Sequence, residues 1–418
     1  MSLNEVSLQA VYGALAPAME ERFRRLEKAF GDFAGHAPER FYRAPGRVEI
    51  GGNHTDHQGG VTLSASIQLD MAAAVCPRDD GIVCLQSEGF PLIRFPLADC
   101  APRAGEEGTT AALIRGMAAG AAAMGITLPP AGEGGFDAFV SGAVPPGSGL
   151  SSSAAFEILI GTVLADLYGE TAPSPLILAQ TAQKTENVYF GKPCGLLDQL
   201  SSAWGGIISV DFSREEPWIR RVSRDLATTG YRLAIVASGA GHENLTEEYA
   251  AITRECGEIA AHFGCRRLCE VPEADFMAQI PVLREKAGDR AVLRALHVYE
   301  ENRRALAEAL CLEKGDMDGF LRLVNASGRS SAMYLQNLIP HGAVRHQELL
   351  LAQGICEHAL RGKGAVRVHG GGFGGTAEAF VPEEKWESFV REVGSVFGEG
   401  SVTELVITPI GGARLKLS

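Results

Sequence analysis

The sequence predicts an α+β protein of two lobes, and three features along the chain support this prediction. A strand-like segment, FDAFVSG at residues 136–142, leads through a glycine- and serine-rich turn into an apolar helix at residues 154–168. A second strand-like segment, YRLAIVAS at residues 231–238, precedes apolar residues at helical spacing. Polar residues 213–217, which follow the strand-like GIISVDF of residues 206–212, separate the two patterns as a turn would.

Length and composition are those of a folded protein with small-molecule partners. A chain of 418 residues accommodates two large lobes, which we expect over residues 1–213 and 214–418. Apolar residues make up 46% and charged residues 21%, close to globular values, so most of the chain is expected to fold. The net charge of −13 argues against nucleic acid and anionic membranes as partners, because both require a basic surface.

The turn between the first strand and its helix, VPPGSGLSSSAA at residues 144–155, has the composition of a phosphate site. A helix start presents unpaired N–H groups and the positive end of the helix dipole, so it stabilises anions. Gly147 and Gly149 allow backbone amides to approach a ligand oxygen, and the hydroxyls of residues 151–153 suit helix capping, phosphate or magnesium. An ordinary capped helix is the alternative, and the turn lacks the lysine of a Walker-type loop.

Two further glycine-rich segments and one carboxylate carry potential chemistry. Residues 44–60 read APGRVEIGGNHTDHQGG, and residues 368–381 read VHGGGFGGTAEAFV, a glycine loop followed by a strand pattern. Asp198 is of the type that accepts a proton from a hydroxyl, and Arg47 of the type that stabilises the developing charge of a phosphate. The alternatives are a helix N-cap for Asp198 and a surface ion pair for Arg47.

The three glycine-rich segments, in this order, resemble the three motifs of the GHMP small-molecule kinases, and within them the galactokinase family. Residues 183–199 (QKTENVYFGKPCGLLDQ), 242–259 (HENLTEEYAAITRECGEI) and 295–310 (ALHVYEENRRALAEAL) are also similar to segments of that family. The resemblance implies a mixed sheet with helices in the N-terminal lobe, antiparallel sheets with helices in the C-terminal lobe, and an active site between the lobes.

The resemblance also implies an ATP-dependent sugar 1-kinase that transfers the γ-phosphate of ATP to the anomeric hydroxyl of galactose. ATP and Mg²⁺ are the expected cofactors, and which serine binds the metal is left open. The implied residues are Asp198 and Arg47 for catalysis; Asn53, His54, Asp56, Gly195 and Tyr249 for the sugar; Gly147, Ser148, Gly149, Leu150, Ser151, Ser152, Ser153, Gly371 and Gly372 for ATP; and Ser151 and Glu186 for the metal.

The first motif departs from the family at several positions that bear on the sugar. Galactokinases usually read GRVNLIGEHTDY where this chain reads GRVEIGGNHTDH. Asn53 therefore stands in place of a sugar-binding glutamate, Glu49 in place of an asparagine, His57 in place of a tyrosine, and Gly51 in place of an apolar residue. An amide at position 53 still suits a hydroxyl, but equally a sugar with an altered C6 group or an amide.

Two alternatives to a galactose kinase follow from these departures. One is a kinase of the same architecture for a related sugar, such as an N-acetylated hexosamine or a uronic acid. The other is a non-catalytic sensor of galactose and ATP, as some galactokinase-like proteins are. The intact GLSSSAA segment, together with Asp198 and Arg47, favours an enzyme over the sensor.

The cysteines and the N-terminal sequence predict a cytoplasmic protein, which we expect to be a monomer. Nine cysteines, an odd number without a regular spacing, favour reduced thiols. A zinc site at His262, Cys265 and Cys269, with Cys256 nearby, is weighed against buried thiols on helices, which we prefer. The N-terminus shows no signal-peptide core, and no apolar run approaches the roughly 18 residues of a membrane helix.

Overall fold

The computed structural model describes residues 5–145, 148–241 and 245–417. In this part of the chain, nine strands form a mixed sheet and four form an antiparallel sheet, and helices accompany both. The α+β class and the two lobes expected from the sequence are therefore present. None of the described helices combines the length and the apolar composition that a membrane crossing requires.

The mixed sheet is built from strands within residues 6–222 of the described chain and takes one further strand from the end of the chain. In chain order the strands are β1 (Val6–Ser7), β2 (Arg40–Gly51), β3 (Val61–Pro77), β4 (Ile82–Ser87), β5 (Ile93–Pro96), β6 (Gly135–Gly142), β7 (Ile207–Asp211), β8 (Trp218–Val222), β9 (Tyr231–Ala237), β10 (Ala365–Val368), β11 (Thr376–Pro382), β12 (Val402–Leu405) and β13 (Ala413–Lys416). The mixed sheet has the order β1-β13-β2-β3-β6-β4-β5, with β7 paired to β3 and β8 to β7. The second sheet has the order β10-β11-β9-β12.

The helices pack on the two sheets, and short irregular turns extend two of them near the site. The helices are α1 (Leu8–Tyr12), α2 (Ala16–Ala34), α3 (Thr110–Ala119), α4 (Ser152–Tyr168), α5 (Pro175–Thr185), α6 (Leu197–Trp204), α7 (Thr246–His262), α8 (Glu273–Ala287), α9 (Asp289–Lys314), α10 (Met317–Ser330), α11 (Glu348–Leu360) and α12 (Trp386–Phe397). A π-turn at Glu186–Phe190 follows α5, and another at Ser331–Leu335 follows α10. π-turns of this kind occur often at functional sites.

The central helix α4 is apolar nearly all round, as the sequence predicts, and the protein buries it accordingly. Every residue from Ala154 to Asp166 is buried. The helix ends where Gly169 follows, and the Gly169 N–H donates to the carbonyl of Ala165. Close packing on all sides fixes the direction of this helix. The serine-rich turn at its N-terminus is therefore held in one orientation.

Strand β2 carries the first motif and shifts its register against β3 at two points. The shifts lie between Pro45 and Arg47 and between Glu49 and Gly51. Between them the pairing is regular, so Arg47 and Glu49 share one face of the strand while Val48 packs into the core on the other. The strand therefore presents an arginine and a glutamate side by side.

The lobe boundary predicted at residues 213 and 214 stays a prediction, and the sheet adds two strands from beyond it. Strand β8 pairs with β7, and β13 inserts between β1 and β2. A composition shift reveals a turn but not which sheet the later strands join, because pairing is decided by partners far away in the sequence.

Candidate active site

Arg47 on β2 and Asp198 in the first turn of α6 form an ion pair. Arg47 Nη2 and Nε lie 2.7 and 2.8 Å from Asp198 Oδ1. The remaining guanidinium nitrogen donates to the carbonyl of Gly149, and Ser151 Oγ donates to Asp198 Oδ2. The aspartate side chain is 28% exposed and the arginine side chain 9%, so the carboxylate faces solvent with the guanidinium held behind it.

Neither the helix-cap nor the surface-pair alternative describes this pair. Leu196 is the N-cap of α6, and within the described residues the Asp198 carboxylate bonds only to Arg47 and Ser151. Arg47 is buried and also donates its backbone N–H to the carbonyl of Leu150 over 3.0 Å. The pair thus joins the first motif, the phosphate turn and α6 at one point.

The turn before α4 leaves helix N–H groups available for an anion. Ser151 is the N-cap in a left-handed conformation, with φ +65°, and it makes no side-chain cap bond. Its hydroxyl bonds to Asp198 instead, so the first α4 amides within the described chain keep no side-chain acceptor. Leu150 is fully buried, and Ser148 Oγ donates to a carbonyl earlier in the turn. Gly147 lies outside the described residues, so its ATP contact stays a prediction.

Ser153, rather than Ser151, lies beside the predicted metal carboxylate. Ser153 Oγ donates to Glu186 Oε1 over 2.8 Å, and Lys192 Nζ donates to the same oxygen over 3.2 Å. Gln199 Nε2 donates to the other Glu186 oxygen over 2.7 Å. Because Ser151 is engaged with Asp198, the structure does not bring Ser151 and Glu186 together as one metal pair.

No larger metal cluster accompanies this pair in the residues that the structure describes. Within 5–145, 148–241 and 245–417, no three His, Cys, Asp or Glu side chains are arranged to hold a metal ion. This covers the neighbourhood of His262, Cys265 and Cys269. The serine hydroxyl and carboxylate oxygens at Ser153 and Glu186 are ligands of the type that Mg²⁺ prefers.

Asp56 and Gly195, both predicted to bind the sugar, lie against each other. A Cβ at Gly195 would lie 2.1 Å from Asp56 Oδ2 and would clash with it. Glycine at this position therefore allows the Asp56 carboxylate to occupy its observed position. His57 Nδ1 lies 2.8 Å from Asp56 Oδ1. Burial alone would raise the pKa of Asp56, but the nearby His57 and His54 lower it to about 2, which keeps the carboxylate ionised.

His54 adopts a left-handed backbone conformation with φ +58°, and its ring lies in a short relay of hydrogen bonds. Its Nε2 lies 2.9 Å from the carbonyl of Gly371, and its Nδ1 lies 3.1 Å from His57 Nε2. Burial lowers the pKa of His54 to about 3, so the ring is neutral. The arrangement assigns donation from Nε2 to the carbonyl and from His57 to Nδ1, which makes His57 a donor at both nitrogens. Burial opposes that cation, yet the Asp56 carboxylate raises the pKa of His57 above its ordinary value.

The C-terminal glycine loop lies against the sugar motif and against Tyr249 of α7. Tyr249 OH donates to the carbonyl of Gly372 over 3.0 Å, and burial raises the pKa of this phenol to about 12. Its ring packs edge to face on Phe373 at 5.6 Å. Gly371 and Gly372 therefore offer their carbonyls to His54 and Tyr249, and their predicted ATP contact stays a prediction.

Asn53 is fully buried, and its amide is saturated by protein groups. Nδ2 donates to Glu49 Oε1 over 2.9 Å and to the carbonyl of Gly370 over 2.7 Å. Oδ1 accepts from Asn337 Nδ2 over 2.9 Å and from Ser331 Oγ over 3.2 Å. An amide has two donor and two main acceptor positions, so none is left for a sugar hydroxyl. The sugar contact of Asn53 stays a prediction, and the arrangement of its amide in this structure does not support it.

Comparison with known proteins identifies the family. The galactokinase galactose-binding signature matches residues 28–77, and the GHMP kinases N terminal domain matches residues 112–206. The galactokinase of Streptomyces coelicolor is 31% identical over 411 residues, which is 96% of this chain and 98% of that relative. The chain belongs to the galactokinase family. A galactokinase of Actinobacillus pleuropneumoniae is also 31% identical, over 87% of this chain and 90% of the relative.

A solved galactokinase structure has the same fold. The Lactococcus lactis galactokinase complexed with galactose superposes with a TM-score of 0.78 at 28% identity, and covers 95% of this chain and 100% of that chain. The galactokinase resemblance, the two-lobed GHMP kinase fold and the class of ATP-dependent sugar kinase, all expected from the sequence, are therefore confirmed. Galactokinase family membership does not by itself fix the role of each site residue in this chain.

Several residues of the galactokinase site were not singled out by sequence reasoning, although some left a signal. Arg367 lies between apolar residues of β10, and a charge inside a buried strand indicates a buried ion pair. His297 and Glu301, one turn apart on α9, bond to the carbonyl and the N–H of Asn53. Ser331 and Asn337 follow α10 and bond the side-chain oxygen of Asn53.

Proposed function

We propose that this protein phosphorylates the anomeric hydroxyl of galactose with ATP, giving galactose 1-phosphate. The observation that supports it best is the Asp198 carboxylate, which is partly exposed beside the phosphate turn and follows Gly195, the glycine that lies against Asp56, in the chain. Arg47 and Ser151 hold both of its oxygens. Such a carboxylate is positioned to align an acceptor hydroxyl and accept its proton, which is the main task in phosphoryl transfer.

The phosphate donor is proposed to bind at the start of α4. The free amides at that helix N-terminus and the positive end of its dipole favour the phosphate oxygens. Arg47 lies between these amides and Asp198, so its charge stabilises negative charge that develops on the transferred group. Backbone groups of Ser148, Gly149 and Leu150, together with the hydroxyl of Ser152, complete the proposed ATP site.

Ser153 and Glu186 are proposed to hold Mg²⁺ near the start of α4, where Lys192 lies within electrostatic reach of both Glu186 and Asp198. Their oxygens are 2.8 Å apart, and both are hard ligands of the kind Mg²⁺ takes. When bound, the ion would neutralise charge on the donor phosphates. Lys192, which also contacts Glu186, supplies a further positive charge at the same place.

The sugar is proposed to lie between Asp56, Gly195 and Tyr249, with His54 supporting the site through its bonds to His57 and to the carbonyl of Gly371. Asp56 stays ionised and accepts hydrogen bonds from sugar hydroxyls, and Gly195 gives the carboxylate room. The case for a kinase of an amide-bearing sugar depended on Asn53 facing the ligand. Because all hydrogen-bonding positions of its amide are occupied by protein groups, galactose itself is the better-supported substrate.

Galactose with Mg²⁺ and ATP is expected to release ADP and to yield a sugar 1-phosphate. The assay compares galactose with glucose, N-acetylgalactosamine and galacturonic acid by coupled ADP detection, and phosphorus NMR locates the new phosphate. Galactose should have the highest kcat/KM in this panel. A protein that binds ATP but releases ADP with none of these sugars would instead be a sensor, and a phosphate on another hydroxyl would contradict the proposed position.

Ser153→Ala is expected to raise the Mg²⁺ concentration needed for half-maximal turnover by about tenfold or more, since groups that hold a metal ligand typically contribute this much to affinity. Ser152→Ala is the comparison variant, because Ser152 lies at the same helix start but outside the Ser153–Glu186 pair, so it should change the KM for ATP rather than the Mg²⁺ requirement. Magnesium titrations of initial rate at saturating galactose make the comparison. A larger shift for Ser151→Ala than for Ser153→Ala would return the metal to Ser151.

A further inference from the structure

Two departures in the first motif form a reciprocal exchange. The family usually has asparagine where this chain has Glu49, and glutamate where it has Asn53. The motif thus keeps one carboxylate and one amide but interchanges their positions. The two side chains touch, since Asn53 Nδ2 donates to Glu49 Oε1 over 2.9 Å.

Glu49 is held by one carboxylate oxygen and leaves the other unused. Oε1 accepts from Asn53 and from Arg367 Nη2, the latter over 2.8 Å. No hydrogen bond from the described residues reaches Oε2. Oε2 is not completely buried, and the Glu49 side chain is 9% exposed. This oxygen therefore keeps access to solvent.

Glu49 lies on the same face of β2 as Arg47. Burial raises the pKa of Glu49, and the nearby charges of Arg367 and Arg47 oppose that rise. Glu49 is therefore within electrostatic reach of Arg47, which is proposed to act on the transferred phosphate, and of Asp56, which is proposed to bind the sugar. Asn53, by contrast, is wholly enclosed.

Arg367 and Asn53 fix the orientation of this carboxylate from behind. Arg367 is fully buried, and its guanidinium also approaches the backbone carbonyl of Glu49 at 3.5 Å. Asn53 is itself anchored through Gly370, Ser331 and Asn337. Two anchored donors already order this carboxylate before a ligand binds. A hydrogen bond to its free oxygen therefore loses little conformational entropy on binding, which favours a selective contact.

We propose that Glu49 is the specificity-determining carboxylate of this enzyme, accepting a hydrogen bond from a galactose hydroxyl through Oε2, with Asn53 as its positioning residue. The proposal rests on the proposed function and deepens it, because it names the group that replaces the family carboxylate at position 53. It also explains why the two substitutions occur together. Glu49 alone would add a second carboxylate to the motif, and Asn53 alone would leave the motif without this carboxylate.

Glu49→Gln tests the contact with little change of shape. The glutamine carbonyl can still accept from Asn53 and Arg367, but its amide nitrogen replaces the free acceptor by a donor. We expect galactose kcat/KM to fall about tenfold to hundredfold, mainly through KM, which is the range for a lost bond to a charged group. The KM for ATP should change little, because the phosphate turn is untouched.

Deoxy sugars identify the hydroxyl. The wild-type enzyme should discriminate against 2-deoxygalactose or 6-deoxygalactose relative to galactose, and Glu49→Gln should abolish that discrimination for the sugar that lacks the bonded hydroxyl. Ratios of kcat/KM that stay the same in wild type and variant for both deoxy sugars would overturn the proposal.

The exchange itself can be reversed. Asn53→Glu alone places a second carboxylate against Glu49. Glu49→Asn alone leaves positions 49 and 53 without a carboxylate. Each single variant should therefore lose galactose affinity. The double variant, Glu49→Asn with Asn53→Glu, restores the family arrangement and should recover most of the loss. Recovery of this kind is strongly non-additive. Losses that simply multiply in the double variant would contradict a shared role.

Glu308→Gln is the matched control for removal of a buried carboxylate near Arg367. Both Glu308 oxygens are buried without a hydrogen bond to any described residue, the charge of Arg367 acts on this side chain, and one oxygen lies where the Cβ of a larger residue at Gly51 would be. This variant should leave the galactose KM unchanged. Calorimetric titration with galactose separates the two proposals: wild-type protein that binds galactose without turnover refutes the kinase, whereas equal affinity in wild type and Glu49→Gln refutes the role of Glu49.

Discussion

Asp198→Asn is expected to lower kcat for galactose phosphorylation by about a hundredfold or more, the usual range for a general acid–base residue. Asparagine keeps the size of the side chain and can still accept from Arg47, but it neither takes a proton nor carries a charge. Because the sugar contacts assigned to Asp56 and Tyr249 remain, the galactose KM should change much less than kcat. Steady-state rates at saturating ATP and Mg²⁺ measure both.

The control for this variant is Ser151→Ala, which removes one hydrogen bond to the same carboxylate without altering its charge. It should cost far less turnover than Asp198→Asn. Circular dichroism and nucleotide binding establish that both variants are folded. Nearly normal turnover in a folded Asp198→Asn protein would show that Asp198 is not part of the mechanism. The acceptor hydroxyl would then be aligned by other groups of the site.

The local elements and the three motifs could be predicted because their signals are local. A segment that is apolar nearly all round predicts the buried helix α4, and the strand pattern predicts β9 within a residue of its observed end. Glycine-rich composition marks the segments where backbone approaches a ligand or another segment. Gly195 shows why, since its lack of a Cβ is what admits the Asp56 carboxylate.

The roles of the serines could not be predicted, because they depend on direction rather than on composition. Ser151 lies just before α4 in a left-handed conformation and turns its hydroxyl to Asp198. Ser153, two residues later inside the helix, points to Glu186. A sequence shows three adjacent hydroxyls, but only the turn geometry separates the proposed metal ligand from the group that holds the catalytic carboxylate.

The environment of Asn53 depends on partners that are distant along the chain. The four hydrogen bonds of its side-chain amide reach Glu49, Gly370, Ser331 and Asn337, and only Glu49 lies nearby in sequence. A motif comparison places Asn53 where a sugar ligand is expected and cannot reveal that the amide is already saturated. The neighbouring Glu49 could have been noticed as the complementary half of an exchange, because both substitutions occur within one motif.

Arg47→Ala is expected to lower kcat by about a hundredfold to a thousandfold, the range for loss of one preorganised group that stabilises transition-state charge. The side chain connects three parts of the site, since it bonds Asp198 through two nitrogens and Gly149 through the third. Its removal therefore frees the carboxylate and withdraws a positive charge from the transferred phosphate at the same time.

Arg47→Lys separates these two contributions. Lysine restores a charge but not the planar fork, so it cannot bond Asp198 and the Gly149 carbonyl together, and turnover should lie between those of wild type and Arg47→Ala. Added guanidinium should partly restore the alanine variant if charge at this place is what matters. Turnover of Arg47→Ala within about threefold of wild type would show that the pair is structural. The order wild type, lysine, alanine is expected because orientation of the Asp198 carboxylate and charge on the phosphate are both supplied by one guanidinium, and lysine replaces only the second.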